Sequence, residues 1–140
     1  MRHILEQNDK YSCAIAPQDA AAGAHVSSWY DMAAYGSAAF VVQAGADTDD
    51  VVCQIYQATS SSGTSAKTMT NGPQSGTVTL TGDGSTAQCD VIECTDRDLD
   101  VANLFTHVKI QMTVGGQGTC LISSVLDRGN CRHANTTMPT

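Results

Sequence analysis

The chain has 140 residues, a formal net charge of −7 and a pI near 4.7. That length suits one domain, and that charge argues against holding nucleic acid through phosphate neutralisation, which needs clustered Lys and Arg. The apolar fraction of 41% is inflated by alanine: Val, Ile, Leu and Phe number only 25 of 140, under the roughly 20% at which a core becomes thin.

Residues 1–10 are polar with little periodicity and read as an extended N-terminal arm. Tyr11-Ser12-Cys13-Ala14-Ile15-Ala16 reads as a first strand, closed by Pro17 and by the small-residue loop Asp19-Ala20-Ala21-Ala22-Gly23-Ala24. Ser28-Trp29-Tyr30-Asp31 is a short strand, followed by a tight turn near Met32 to Gly36. Phe40-Val41-Val42-Gln43 is then a strand, Asp47-Thr48-Asp49-Asp50 an acidic turn, and residues 51–58 a second strand. In that strand Val51, Cys53 and Ile55 share one face while Val52, Gln54 and Tyr56 share the other, the period of two of a half-buried sheet.

Ala58-Thr59-Ser60-Ser61-Ser62-Gly63-Thr64-Ser65 has the composition of a mobile loop. Thr77-Val78-Thr79-Leu80-Thr81 and Val91-Ile92-Glu93-Cys94 continue the strand pattern. Residues 98–105 read as a short helical segment opened by an acidic residue. A long strand over 106–114 then meets Gly115-Gly116-Gln117-Gly118, a hairpin signal, and 119–126 is expected to return antiparallel. The pattern predicts an all-β fold, an antiparallel β-sandwich of jelly-roll type. It comprises the arm 1–10, a sandwich domain 11–127 and a polar C-terminal tail 128–140.

Sites of chemistry are sparse. The six cysteines show no C-x2-C pair, and their placement reads as free, buried thiols ahead of disulfides or metal ligation. Asp96-Arg97-Asp98-Leu99-Asp100 lacks the glycine and final glutamate of a calcium loop. No nucleophile elbow is present. The expectation is a non-enzyme with no cofactor and no metal. No run approaches the roughly 18 apolar residues of a membrane span. The first residues lack an apolar signal core, so synthesis in a host cytoplasm is expected. A sugar-stacking role for Trp29, Tyr30, Tyr35 and Tyr56 is the alternative to core and interface roles for these rings.

The chain resembles tailed-bacteriophage virion proteins of the capsid decoration (cement) type. The resemblance rests on Trp29-Tyr30-Asp31-Met32, Tyr35-Gly36 and Phe40-Val41-Val42-Gln43-Ala44-Gly45-Ala46. It continues in Val52-Cys53-Gln54-Ile55-Tyr56-Gln57-Ala58-Thr59, Leu99-Asp100-Val101-Ala102-Asn103-Leu104-Phe105-Thr106-His107-Val108 and Leu126-Asp127-Arg128-Gly129-Asn130. It implies a location on the outer capsid surface of a virion, the major capsid protein as partner, and a homo-oligomer, a trimer. A neck or tail position, or a receptor- or carbohydrate-binding module, is the alternative. It brings no catalytic residue. Candidate interface residues are Arg2, Ile4, Leu5 and Lys10 in the arm, Trp29 and Tyr30 in the domain, and Arg128 and Arg132 in the tail.

Overall fold

The computed structural model describes residues 9–131. Arg2, Ile4, Leu5 and Arg132 therefore lie outside the described residues. Eight strands are formed among the described residues: β1 (Lys10–Val26), β2 (Tyr30–Asp31), β3 (Tyr35–Ala44), β4 (Val51–Ala58), β5 (Lys67–Thr68), β6 (Thr77–Leu80), β7 (Gln88–Thr95) and β8 (His107–Cys131). They join one curled antiparallel sheet in which β8 is flanked by β4 and β3. The fold is an all-β antiparallel sandwich, as expected. The expected helical segment is a single 3-10 turn, Val101–Asn103.

The sheet closes on itself because β8 belongs to both layers. Residues 107–114 of β8 pair with β4, and residues 122–131 pair with β3. The opposite side of β8 is taken by β2 at 107–108 and by β1 over 111–114 and 119–128. β6 and β5 extend the first layer from β4, and β7 extends the second from β3. Alternate residues then face one shared core, with Val51, Cys53, Ile55, Ile110 and Met112 from the first layer. Phe40, Val42, Ile92 and Leu126 come from the second. Met32 and Met69 fill gaps between them, as unbranched, flexible side chains can.

Three expected boundaries move. Pro17 does not end β1, which runs on through the alanine-rich segment to Val26. β1 pairs only with β8, and Pro17 falls in a register break between Ile15↔Ser124 and Gln18↔Ile122, where no ladder donor is required. The glycine run does not form a hairpin either. β8 passes through it as a bulge, since two residues along β1 (Ala21 to Gly23) correspond to five along β8 (Thr119 to Val114). β8 also continues through Arg128 to Cys131, so residues 128–131 belong to the sheet rather than to a tail.

The acidic turn between β3 and β4 fits into this bend. Gly45 N donates to Leu121 O (2.7 Å), Gly115 N to Asp50 O (3.0 Å) and Gly84 N to Asp47 O (2.7 Å). Asp50 Oδ1 accepts from Gly82 N at 3.0 Å. A turn that read as a free loop tip is tied down: the Asp50 carboxylate takes an amide of the β6–β7 connection, and its main-chain carbonyls take amides from that connection and from the β8 bulge. Residues 59–64 are likewise closed, with Thr59 N donating to Thr64 O at 3.0 Å and the Ser60 hydroxyl to Thr64 Oγ1 at 2.9 Å.

Gly116 holds φ +68° with Asp49 in the space a Cβ would fill. Gly116→Ala is expected to lose about 1–3 kcal/mol in urea unfolding, from left-handed strain plus collision. Adding Asp49→Ala should recover the collision part and leave the strain.

Candidate functional site

The four described residues among the expected interface set are placed differently from one another. Lys10 pairs with Arg128 across β1 and β8 and is exposed. Arg128 is buried at 8% exposure. Its guanidinium lies 4.6 Å from the Tyr35 ring centre and 5.4 Å from that of Tyr30, and Nη1 donates to Asp31 O at 2.8 Å. Cation–π stacking and a carbonyl acceptor explain why a charge is tolerated there. Arg128 ties β2 and β3 to β8 from inside the sheet.

Trp29 and Tyr56 come together on the outer side of the first layer, but Lys109 lies over both. Its Nζ is 4.8 Å from the Trp29 ring centre and 5.4 Å from that of Tyr56. Tyr56 and Lys109 are cross-strand partners, and Gly63 closes the indole edge so tightly that a Cβ would stand 2.6 Å from Nε1. Tyr30 does not share this surface: it packs on the core and donates its hydroxyl to Cys13 O at 3.2 Å. The rings therefore stack with the protein's own cations.

The outer face of the second layer carries the exposed apolar surface that ring counting could not find. Cys13 is registered with Val125, Val125 with Val41, and Val41 with Val91. This row crosses β1, β8, β3 and β7. Val125 is 42% exposed and Val91 37%, and Cys13 is exposed too. Such contiguous apolar surface marks an interaction site more often than scattered apolar residues do. One row over come Tyr11, Asp127, Ala39 and Glu93, again in register. On the other side stand Ser123, Gln43 and Cys89, where the Ser123 hydroxyl donates to Gln43 Oε1 at 3.1 Å. Beyond them a groove of about 580 Å³ is lined by Pro17, Ala44, Leu121 and Ile122 among others.

Beside the Asp127 row is a recess of about 370 Å³ reached by Asp9, Ser37, Glu93, Asp127 and Asn130. Burial, then the nearby Asp9 carboxylate, pushes the Asp127 carboxyl above its ordinary value, partly opposed by a hydrogen bond from Tyr11. Asp127 Oδ1 is closed off from solvent and has no hydrogen-bond partner among the described residues. Alternation alone could place Val41, Val91 and Val125 on outward faces. Lining them up required the register of strands far apart in sequence.

No family model matches the sequence, and no curated protein matches it. Solved structures similar to it include the T13 particle of infectious bursal disease virus, with a TM-score of 0.48 and 11% identity over 89% of this chain and 31% of that one. The Gx strain of the same virus gives 0.46 and 14% over 93% and 33%. The carbohydrate-binding module CBM6cm-2 of Cellvibrio mixtus lichenase 5A, in complex with cellotriose, gives 0.40 and 10% over 90% and 94%. This chain spans about a third of the viral chains it matches. None of these likenesses assigns it a role.

The thiols divide sharply by environment. Burial pushes Cys53 and Cys94 up to about 12, whereas Cys13 and Cys89 are exposed. Iodoacetamide at pH 8 should label Cys13 and Cys89 in the native protein and spare Cys53 and Cys94, read by mass spectrometry of the intact chain and its peptides. Equal labelling of all four would contradict the burial described.

Proposed function

We propose that this chain is a non-enzymatic structural protein of a bacteriophage virion, a capsid decoration protein. It docks on the outer capsid surface, as a trimer, and bridges neighbouring major capsid subunits. The observation that carries the reading is the outward apolar row of Cys13, Val125, Val41 and Val91 across four strands, exposed at Cys13, Val125 and Val91 and half-buried at Val41. A chain with few large apolar residues leaves three valines on an outer face, where only a partner could bury them. The sequence resemblance to decoration proteins names the class of partner.

The absence of chemistry expected from the sequence is part of this proposal, and the described thiols support it. Cys53 and Cys94 are held protonated by burial, and a protonated thiol is a poor nucleophile. The alternative of a carbohydrate-binding module loses its best candidate surface, because Lys109 covers the Trp29 and Tyr56 rings that a sugar would stack against. A neck or tail position would use the same apolar face against a different neighbour.

Purified protein mixed with undecorated capsids should co-sediment with them. Val41→Glu and Val125→Glu should each weaken that binding by about tenfold or more, because a central apolar contact is replaced by a desolvated charge. Each variant should keep its unfolding free energy within about 0.5 kcal/mol of the wild type, as outward substitutions do. Failure of the wild type to bind capsids, with recovery of the protein in purified tails, would remove the decoration assignment.

A further inference from the structure

We propose that a crevice at the β5 edge of the first layer binds a neutral acetamido sugar, with the Gln57 side-chain amide as donor to its acetyl carbonyl. The crevice holds about 480 Å³, within the range of roughly 300–1,000 Å³ usual for small-ligand clefts. It opens between the segment carrying Lys67, Thr70 and Asn71 and the turn 99–102. The apolar row lies on the second layer, so this inference does not depend on the docking face.

Gln57 lines the crevice while being only 3% exposed. It belongs to the inward set of β4, after Val51, Cys53 and Ile55. A carboxamide in that position has both an acceptor and donors to satisfy. Its Oε1 accepts from Asp100 N at 2.8 Å, which sets the orientation of the amide. Nε2 has no hydrogen-bond partner among the described residues, yet it is not one of the side-chain atoms sealed from solvent. The crevice is where that donor can meet a ligand.

Gln54, three residues earlier, shows what a completed amide looks like in the same strand. Its Nε2 donates to Ile55 O at 2.9 Å, Met69 O at 3.1 Å and Gly76 O at 3.0 Å. Gln57 lacks any such set. A donor held in a nearly buried side chain without an acceptor is costly, and a ligand oxygen removes that cost.

The charges of the crevice cancel, which favours a neutral ligand. Its two charged residues are Lys67 and Asp100, and they bond to each other. Asn103 Nδ2 also donates to both Asp100 oxygens, at 3.0 and 2.9 Å. These bonds, that of Lys67 first, hold the Asp100 carboxyl below its ordinary value, so the pair stays ionised and closed. Lys67 is engaged a second time, 4.3 Å from the Phe105 ring centre.

The free donor stands beside apolar surface. Buried Leu99 directly precedes the amide that Gln57 accepts, and Val101, at 61% exposure, forms the lip. A carbonyl oxygen carrying a methyl group matches a donor next to aliphatic side chains. Ring hydroxyls match the Asn71 amide and the Thr70 hydroxyl across the opening. An acetamido sugar has all three features, whereas a plain hexose lacks the carbonyl and the methyl.

The test is a titration of the full, 15N-labelled chain with N-acetyl-D-glucosamine and, in parallel, D-glucose, following side-chain amide signals by NMR. The acetamido sugar should shift the Gln57 amide saturably and leave the Gln54 amide in place. D-glucose should bind about tenfold more weakly or not at all, because it leaves the donor unpaired. Gln57→Met should abolish the response, and Val101→Asp, an exposed change that spares the fold, should weaken it about tenfold. If Gln57→Met does not fold, Val101→Asp and the glucose comparison still decide. No shift of Gln57, shifts centred elsewhere, equal binding of D-glucose, or wild-type affinity in Val101→Asp would each overturn the proposal. Capsid co-sedimentation is a separate measurement, so failure of the decoration reading leaves this result untouched.

Discussion

A strand that serves two layers needs partners on both sides, and β8, 25 residues long, has them along most of 107–114 and of 122–128. Its ladders run to β4 and then β3 on one side, and to β2 and then β1 on the other. No other element joins the two halves so extensively. The path between the layers must bend, and the bend is built from glycines: Gly115 closes on Asp50 and Gly116 leaves room for Asp49. The acidic turn is thereby part of the joint. The Asp50 carboxylate and the main-chain carbonyls of Asp47 and Asp50 accept amides that would otherwise need water.

With that ladder carrying the architecture, a lean core is enough. The shared interior is made of Val, Ile, Leu, Ala, Cys and Met with one phenylalanine, Phe40. Large apolar groups are scarce, so their distribution is informative. Val41, Val91 and Val125 lie on an outer face, in one row and next to an acidic recess. The rings of Phe105, Trp29, Tyr56, Tyr30 and Tyr35 meanwhile are engaged by Lys67, Lys109 and Arg128. Cation stacking removes these rings from the surface open to ligands. The outer face of the second layer is left with aliphatic and acidic side chains and the exposed Tyr11.

How much of this was legible depends on the range over which each feature is decided. Alternation in Val51-Val52-Cys53-Gln54-Ile55-Tyr56 fixed β4 residue by residue, because side-chain period is a local property of a strand. The same holds for β6, for β7 and for the fold class. Pro17 and Gly115 to Gly118 misled as stop signals, because local turn chemistry does not know which neighbouring strand supplies the hydrogen bonds. An edge position excused the proline, and a bulge absorbed the glycines. Arg128 read as a tail charge, since the rings of Tyr30 and Tyr35 that shelter it lie roughly a hundred residues earlier. By itself the sequence determined most of the strand cores and the sandwich, because alternation is local. Only the tertiary structure decided that Cys13, Val41, Val91 and Val125 form one row with Asp127 beside it, because the register between distant strands is set by the whole ladder.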